Sequence, residues 1–264
     1  MRQYREFLYE GTGWHACTVI GHRGACAYFP ENTMVSFRGA LDLGADMVEL
    51  DIQCTRDGEI VVMHDEKVNR CTNGRGRVKD LGYAQMRALD AGSWFGKRFA
   101  GEKVPALAEV LEYCRGKIAV NIEIKSEAVG DSAIGGIEEK TLELVSRMGM
   151  REHVIYSSFS PMALAHLREV DQSAPIAVLY EKKHYKKMSP ARIMEHTGAD
   201  CFNCSRDEFR GSWARELVSC NIPVNVYTVN DRGALARLAG AGVGGIFTNK
   251  PDVMRAVLAA SGKM

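Results

Sequence analysis

Met47-Val-Glu-Leu-Asp-Ile-Gln53, leading on to Asp57-Gly-Glu-Ile-Val-Val-Met-His-Asp65, is the stretch whose reading decides the fold. The first seven residues read as an apolar strand interrupted by two acids. Side chains alternate faces along a strand, so Glu49 and Asp51 point the same way. Two carboxylates side by side repel each other and resist burial. They are tolerated where a cation sits between them or where one keeps its proton. An acidic solvent face would need polar alternation beyond the pair, and Met47, Val48, Leu50 and Ile52 supply none. The acids therefore read as a functional pair. Asp57-Gly58 reads as a tight hairpin turn. The returning strand, Ile60 to Met63, ends in His64, so the hairpin carries this histidine back toward the acids.

Outward from this stretch the chain alternates strands with helices. Val19 to His22 is a short strand. Asn32 and Thr33 are capping residues for a helix carrying Phe37, Ala40 and Leu41 that stops at Gly44. Beyond the hairpin, Glu66 to Val104 is polar and Gly-rich. Leu107–Cys114 reads as a helix and Ile118–Ile124 as a strand. Further strands are expected at His153–Tyr156, Pro175–Tyr180, Ala199–Asn203, Pro223–Val229 and Val243–Thr248. Ser160-Pro161 and Ser189-Pro190 open helices as cap and first residue, and Pro251 starts the last one. Eight βα units imply right-handed crossovers and a parallel sheet, closed as an α/β (β/α)₈ TIM barrel. A doubly wound open sheet is the competing fold, but Gly21-His-Arg-Gly24 lacks the spacing of a nucleotide-binding turn. The segment 66–104 is too long for a plain βα loop and reads as an inserted subdomain over the barrel mouth of a single domain, residues 1–264.

Composition excludes several functions. Lys plus Arg number 34 against 33 Asp plus Glu, so nothing calls for nucleic acid or an anionic membrane as partner. No apolar run reaches membrane-spanning length, which argues against stable membrane insertion. Met1-Arg-Gln-Tyr-Arg-Glu-Phe-Leu-Tyr-Glu10 carries charges where a secretory signal needs its apolar core, so a cytoplasmic location is expected. Eight cysteines are present, of which Cys201 and Cys204 form the only close pair. Without a second pair this is weak evidence for zinc, and reduced, buried thiols are expected.

Chemistry in such a barrel sits at the carboxyl ends of the strands. His22 and Arg23 end the first strand, Glu49 and Asp51 lie near the end of the second, and Glu123 and Lys125 end the third. Tyr227 lies near the end of the seventh. The three acids form an oxygen-only set suited to one divalent cation, Mg²⁺ or Ca²⁺, rather than zinc. Arg23 and Lys125 add positive charge, and cation and bases together read as a clamp for a phosphate ester. His22 and His64 supply proton transfer near neutrality.

These residues belong to an ordered set of motifs: His22-Arg-Gly-Ala25, Pro30-Glu-Asn-Thr33, Glu49-Leu-Asp51, Val62-Met-His-Asp65 and Thr72-Asn-Gly-Arg-Gly76, then Asn121-Ile-Glu-Ile-Lys125, Val226-Tyr-Thr-Val-Asn230 and Thr248-Asn-Lys-Pro-Asp252. The set resembles the glycerophosphodiester phosphodiesterase family over nearly the whole chain. The resemblance implies a TIM barrel with a small insertion after the second strand. It implies a divalent metal on Glu49, Asp51 and Glu123, His22 and His64 as the acid–base pair, and Arg23 and Lys125 facing phosphate. The implied reaction splits a small-molecule glycerophosphodiester into glycerol 3-phosphate and an alcohol. There are two departures. Tyr227 stands where family members often have Trp, which bears on the alcohol accepted. Asn249 stands where they often have Asp, and is expected not to touch the chemistry. Three other readings keep the same residues: a lysophospholipase D-like enzyme on acylated substrates, a phosphatidylinositol-type phospholipase C making cyclic phosphates, and a non-catalytic phosphate-ester-binding relative.

Overall fold

Residues 47–53 are buried without a break, and a strand hidden on both faces is stable only in a sheet covered on both sides. The computed structural model describes residues 17–262, so the reading of Met1 to Glu10 lies outside the described residues. In chain order the strands are β1 (Thr18–Gly21), β2 (Met47–Cys54), β3 (Ile60–Val62), β4 (Ala119–Ile124), β5 (Val154–Ser158), β6 (Ile176–Leu179), β7 (Cys201–Ser205), β8 (Val224–Tyr227) and β9 (Gly245–Thr248). All except β3 pair in parallel, in the order β1-β9-β8-β7-β6-β5-β4-β2. The pairing of Ile20 with Met47 and Gly21 with Val48 joins β1 to β2. That contact closes the barrel and rules out the open-sheet alternative. The antiparallel β3 hangs outside the ring on β2.

The helices are α1 (Met34–Asp42), α2 (Tyr83–Ala88), α3 (Leu107–Cys114), α4 (Ile137–Arg147), α5 (Pro161–Val170), α6 (Pro190–Thr197), α7 (Gly211–Ser219), α8 (Arg232–Gly240) and α9 (Pro251–Ala260). All but α2 follow barrel strands, as the alternating pattern anticipates. The six-residue α2 is too short to leave a period in the sequence. None of the described helices is long and apolar enough to cross a membrane.

Three local expectations change. Thr33 does cap α1, but the side chain of its neighbour Asn32 turns away to Asp51. The β2–β3 connection is wider than a tight turn, because Cys54 pairs with Ile60 and leaves residues 55–59 as the loop. Asp57 is drawn out of the turn by the hydroxyl of Thr55 and the first N–H of α2, which both donate to it. Cys201 and Cys204 face opposite ways, the first into the barrel and the second into the outer core, so they do not converge on one point.

Ile20, Met47, Ala119, Ile155, Ala177, Cys201 and Phe247 fill the lower barrel. Apolar burial there excludes water and leaves the upper interior for polar groups. Segment 66–104 packs Val68, Val78, Met86, Ala91 and Val104 with Val61 and Met63 of the hairpin. Tyr83 packs against that cluster, whereas Phe99 meets Phe29 edge-on at 5.8 Å and Trp94 is 40% exposed.

Candidate active site

Alternation along β2 puts Glu49 and Asp51 on the barrel's inner face, and parallel register sets Asp51 beside Glu123 of β4. Oxygens of the three carboxylates lie within 4.8 Å of one another, and all three residues are buried. Such a cluster is costly without compensating positive charge. Burial, then Asp51 and Glu123, push Glu49 well above the usual carboxylate range. Burial and Asp51 push Glu123 up to about 7. Burial also opposes ionisation of Asp51, but the charges of Lys125 and Arg23 outweigh it and hold this acid below its ordinary value. Asp51 Oδ1 is buried without a hydrogen bond. Hard oxygen donors, close together, with one lacking a hydrogen bond and two resisting ionisation, fit a divalent cation.

Arg23 and Lys125, the two cations expected to face phosphate, are held by these acids. Lys125 Nζ lies 2.7 Å from Glu123 Oε1 and 3.4 Å from Asp51 Oδ1. The Arg23 backbone N–H donates to Glu49 Oε2 at 2.8 Å, and its Nε lies 3.4 Å from Asp51. Arg23 has a φ of +52° and Asn32, whose Nδ2 donates to Asp51 Oδ2 at 2.8 Å, has a φ of +57°. Left-handed backbone at two non-glycine residues gripping the same acids is local strain kept at a functional site. Gly24 makes the bend feasible: a Cβ there would lie 2.6 Å from the backbone carbon of Ser36.

The two histidines have unlike partners. His22 Nδ1 lies 2.8 Å from Asn249 Oδ1. Asn249, expected to stay clear of the chemistry, thus stands against one of the two candidate histidines. Asn249 is itself fixed, since its backbone N–H donates to Asn230 Oδ1 at 2.8 Å. Because a carbonyl oxygen only accepts, this contact favours the neutral tautomer with its proton on Nδ1 and its lone pair on Nε2. Burial, then Arg23, lower the His22 pKa to about 4. His64 Nδ1 instead lies 2.7 Å from the carboxylate of Asp65. Gln53 holds this turn by donating to the carbonyls of Met63 and Asp65 at 2.9 and 2.7 Å. The hairpin thus returns His64 to the acids.

His22, Arg23, Glu49, His64, Glu123 and Tyr227 line one cavity of about 210 Å³. Asp51 and Lys125 touch its lining residues. Apart from Thr228, the remaining wall is apolar. Phe159 and Phe247 stand edge-on to Tyr227 at 6.0 and 6.2 Å, and Leu179 joins them. The Tyr227 hydroxyl donates to the Tyr180 carbonyl at 3.2 Å, which leaves its ring as the contact surface. Sequence reading missed Phe159, Leu179 and Phe247, which look like core residues, and the partner roles of Asn32, Gln53, Asp65 and Asn249. Each of those partners sits inside or beside a recognisable motif, and that position is the one signal that could have found it.

Comparison with known proteins gives a consistent result. The model of the glycerophosphoryl diester phosphodiesterase family matches residues 22–253. A glycerophosphodiester phosphodiesterase of Caldanaerobacter subterraneus subsp. tengcongensis is 39% identical over 241 residues, covering 89% of this chain and 95% of that protein. One of Bacillus subtilis is 35% identical over 259 residues, covering 90% of this chain and 85% of its own. The crystal structure of glycerophosphodiester phosphodiesterase from Agrobacterium tumefaciens superposes with a TM-score of 0.80 at 30% identity, covering 91% of this chain and 99% of that one.

Proposed function

The chain belongs to the glycerophosphoryl diester phosphodiesterase family and hydrolyses glycerophosphodiesters, and from that premise we propose how its residues divide the work and which diesters they accept. Glu49, Asp51 and Glu123 hold one divalent cation, Mg²⁺ or Ca²⁺. When bound, it supplies positive charge to the phosphoryl oxygens and lowers the pKa of the nucleophile. Arg23 and Lys125 orient the phosphate and carry part of its charge. His22 is the base: its amide partner and its lowered pKa keep it neutral, with a lone pair at Nε2. His64 is the acid: its Nδ1 is held 2.7 Å from the carboxylate of Asp65, which orients the ring to deliver a proton from Nε2. The nucleophile is water, or the glycerol 2-hydroxyl followed by water that opens the resulting cyclic phosphate. The products are glycerol 3-phosphate and a small alcohol such as choline, ethanolamine or glycerol. Residues 66–104 act as a subdomain at the mouth, and the ring of Tyr227 packs against the substrate's carbon chain.

The observation that carries this reading is that two histidines with opposite kinds of partner line one cavity with Glu49 and Glu123. A glycerol 3-phosphate-coupled assay over a panel of diesters tests it. Glycerophosphocholine is expected to have a higher kcat/KM than lysophosphatidylcholine below its micelle concentration. A clear preference for the acylated substrate would overturn the assignment in favour of a lysophospholipase D.

The amide at position 249 gives a sharper check on the base. Asn249→Asp puts a carboxylate against His22 Nδ1 and stabilises its charged form. The acidic limb of the kcat/KM profile is expected to move to higher pH, and the His22 ring to titrate higher by NMR. An unmoved ring titration would show that Asn249 does not govern His22.

A further inference from the structure

Arg70, in the first turn after the hairpin, takes no part in the scheme above, yet it is the most heavily bonded side chain near the site. Its Nε donates to Asp65 Oδ2 at 2.6 Å and its Nη2 to Asp65 Oδ1 at 2.9 Å. The same guanidinium reaches Glu31 through Nη1 and Nη2, each at 2.8 Å. Glu31 also accepts from Arg23 Nη1 at 2.8 Å. The side chains therefore run in alternating charge: Arg23, Glu31, Arg70, Asp65, His64. One end is the phosphate clamp and the other is the proton donor.

The planar fork of arginine suits this place because it engages two carboxylates at once in fixed directions. Asp65 shows the effect. The hydrogen bonds from Arg70 outweigh its partial burial and hold its carboxyl far below the usual range, so it stays ionised beside His64. Glu31 is largely buried, and Arg70 and Arg23 together overcome that burial to keep it charged. Arg70 itself is 43% exposed. An isolated ion pair at such exposure adds little stability, so what Arg70 contributes is orientation and not folding energy.

We propose that Arg70 and Glu31 are positioning residues for the hydrolysis: Arg70 fixes Asp65 so that His64 presents its proton to the leaving alcohol, and Glu31 ties that fixation to Arg23. The inference rests on His64 being the acid, and it gives segment 66–104 a part in the chemistry beyond covering the mouth. Arg70 bonds the donor's partner directly and reaches the clamp only through Glu31, whereas Glu31 bonds the clamp itself.

The test uses two glycerophosphodiesters, one releasing choline and one releasing 4-nitrophenol, whose anion departs without needing a proton. Arg70→Gln is expected to lower kcat for glycerophosphocholine about 10- to 100-fold, the range typical of removing a partner that orients a functional group. KM stays near its starting value, and the loss on the nitrophenyl diester is clearly smaller. Glu31→Gln, which keeps the side chain's shape, shows the same leaving-group contrast and also raises KM, because Arg23 loses its anchor. Arg70→Lys, which keeps the charge without the fork, recovers part of the loss and remains available if Arg70→Gln fails to fold. Equal losses on the two substrates for the Arg70 and Glu31 variants, or no loss, would overturn the proposal. His64→Ala is measured alongside. If it shows the contrast and the Arg70 variants do not, the positioning role alone falls. If His64→Ala itself loses equally on both substrates, the assignment of the acid falls and takes this inference with it.

Discussion

Alanine in place of His22 or His64 is expected to lower turnover roughly 10²- to 10⁴-fold, the range for a positioned acid or base. The two losses arise differently. His22 is buried beside Arg23 and fixed by Asn249, so its removal leaves the nucleophile without an acceptor for its proton. His64 stands against Asp65, so its removal leaves the departing alcohol without a donor. Both act in one reaction, so the double variant is expected to lose little more than the worse single, as for other residues that act as a unit. His22→Ala should slow the choline and nitrophenyl diesters alike, since deprotonation of the nucleophile precedes any difference between leaving groups. Steady-state kcat with matched melting temperatures checks this. Near-normal turnover of His64→Ala would return that residue to a structural part in the hairpin.

What the sequence made legible here was local. Alternation along residues 47–53 placed Glu49 and Asp51 on one face, and the hairpin that follows brought His64 back to them, even though its loop is five residues rather than a tight turn. The barrel itself followed from eight repeats of strand and helix. Partners across long sequence separations were not legible. Asn249 stands 227 positions from His22, and Arg70 stands 39 from Glu31. Nothing in a polar loop residue distinguishes a hydrogen bond to a distant side chain from one to water. Gln53 failed for a subtler reason: it continues the period of Glu49 and Asp51 along β2, yet it bonds the carbonyls of the histidine's turn instead of joining the acids. Tyr227 was legible as a rim aromatic, but Phe159 and Phe247 beside it had the same apolar character as dozens of core residues.

Dialysis against excess chelator is expected to abolish turnover, with Mg²⁺ or Ca²⁺ restoring it, and the three acids make the cation visible without any assay of activity. Glu123 is pushed up to about 7 from an ordinary 4.5 by burial and by Asp51, and Glu49 moves in the same direction. Acids that ionise less readily in the folded chain than in the unfolded one favour folding while protonated. The contribution of Glu123 is therefore full below about pH 4.5 and is lost as pH rises through about 7, and that of Glu49 is lost in the same sense as pH rises. A bound cation replaces those protons, so it stabilises most where they would be absent. At a free concentration of about 100 times Kd it adds about 2.7 kcal/mol to the folded state. The rise in Tm on adding Mg²⁺ or Ca²⁺ to chelated protein should accordingly be larger at about pH 8 than at about pH 5. Glu49→Gln and Glu123→Gln remove a donor while keeping its shape. Each is expected to shrink that rise and weaken cation binding by calorimetry, with the barrel still folding cooperatively. Full activity in excess EDTA after dialysis, or a Tm shift unchanged by either substitution, would move the cation away from these carboxylates.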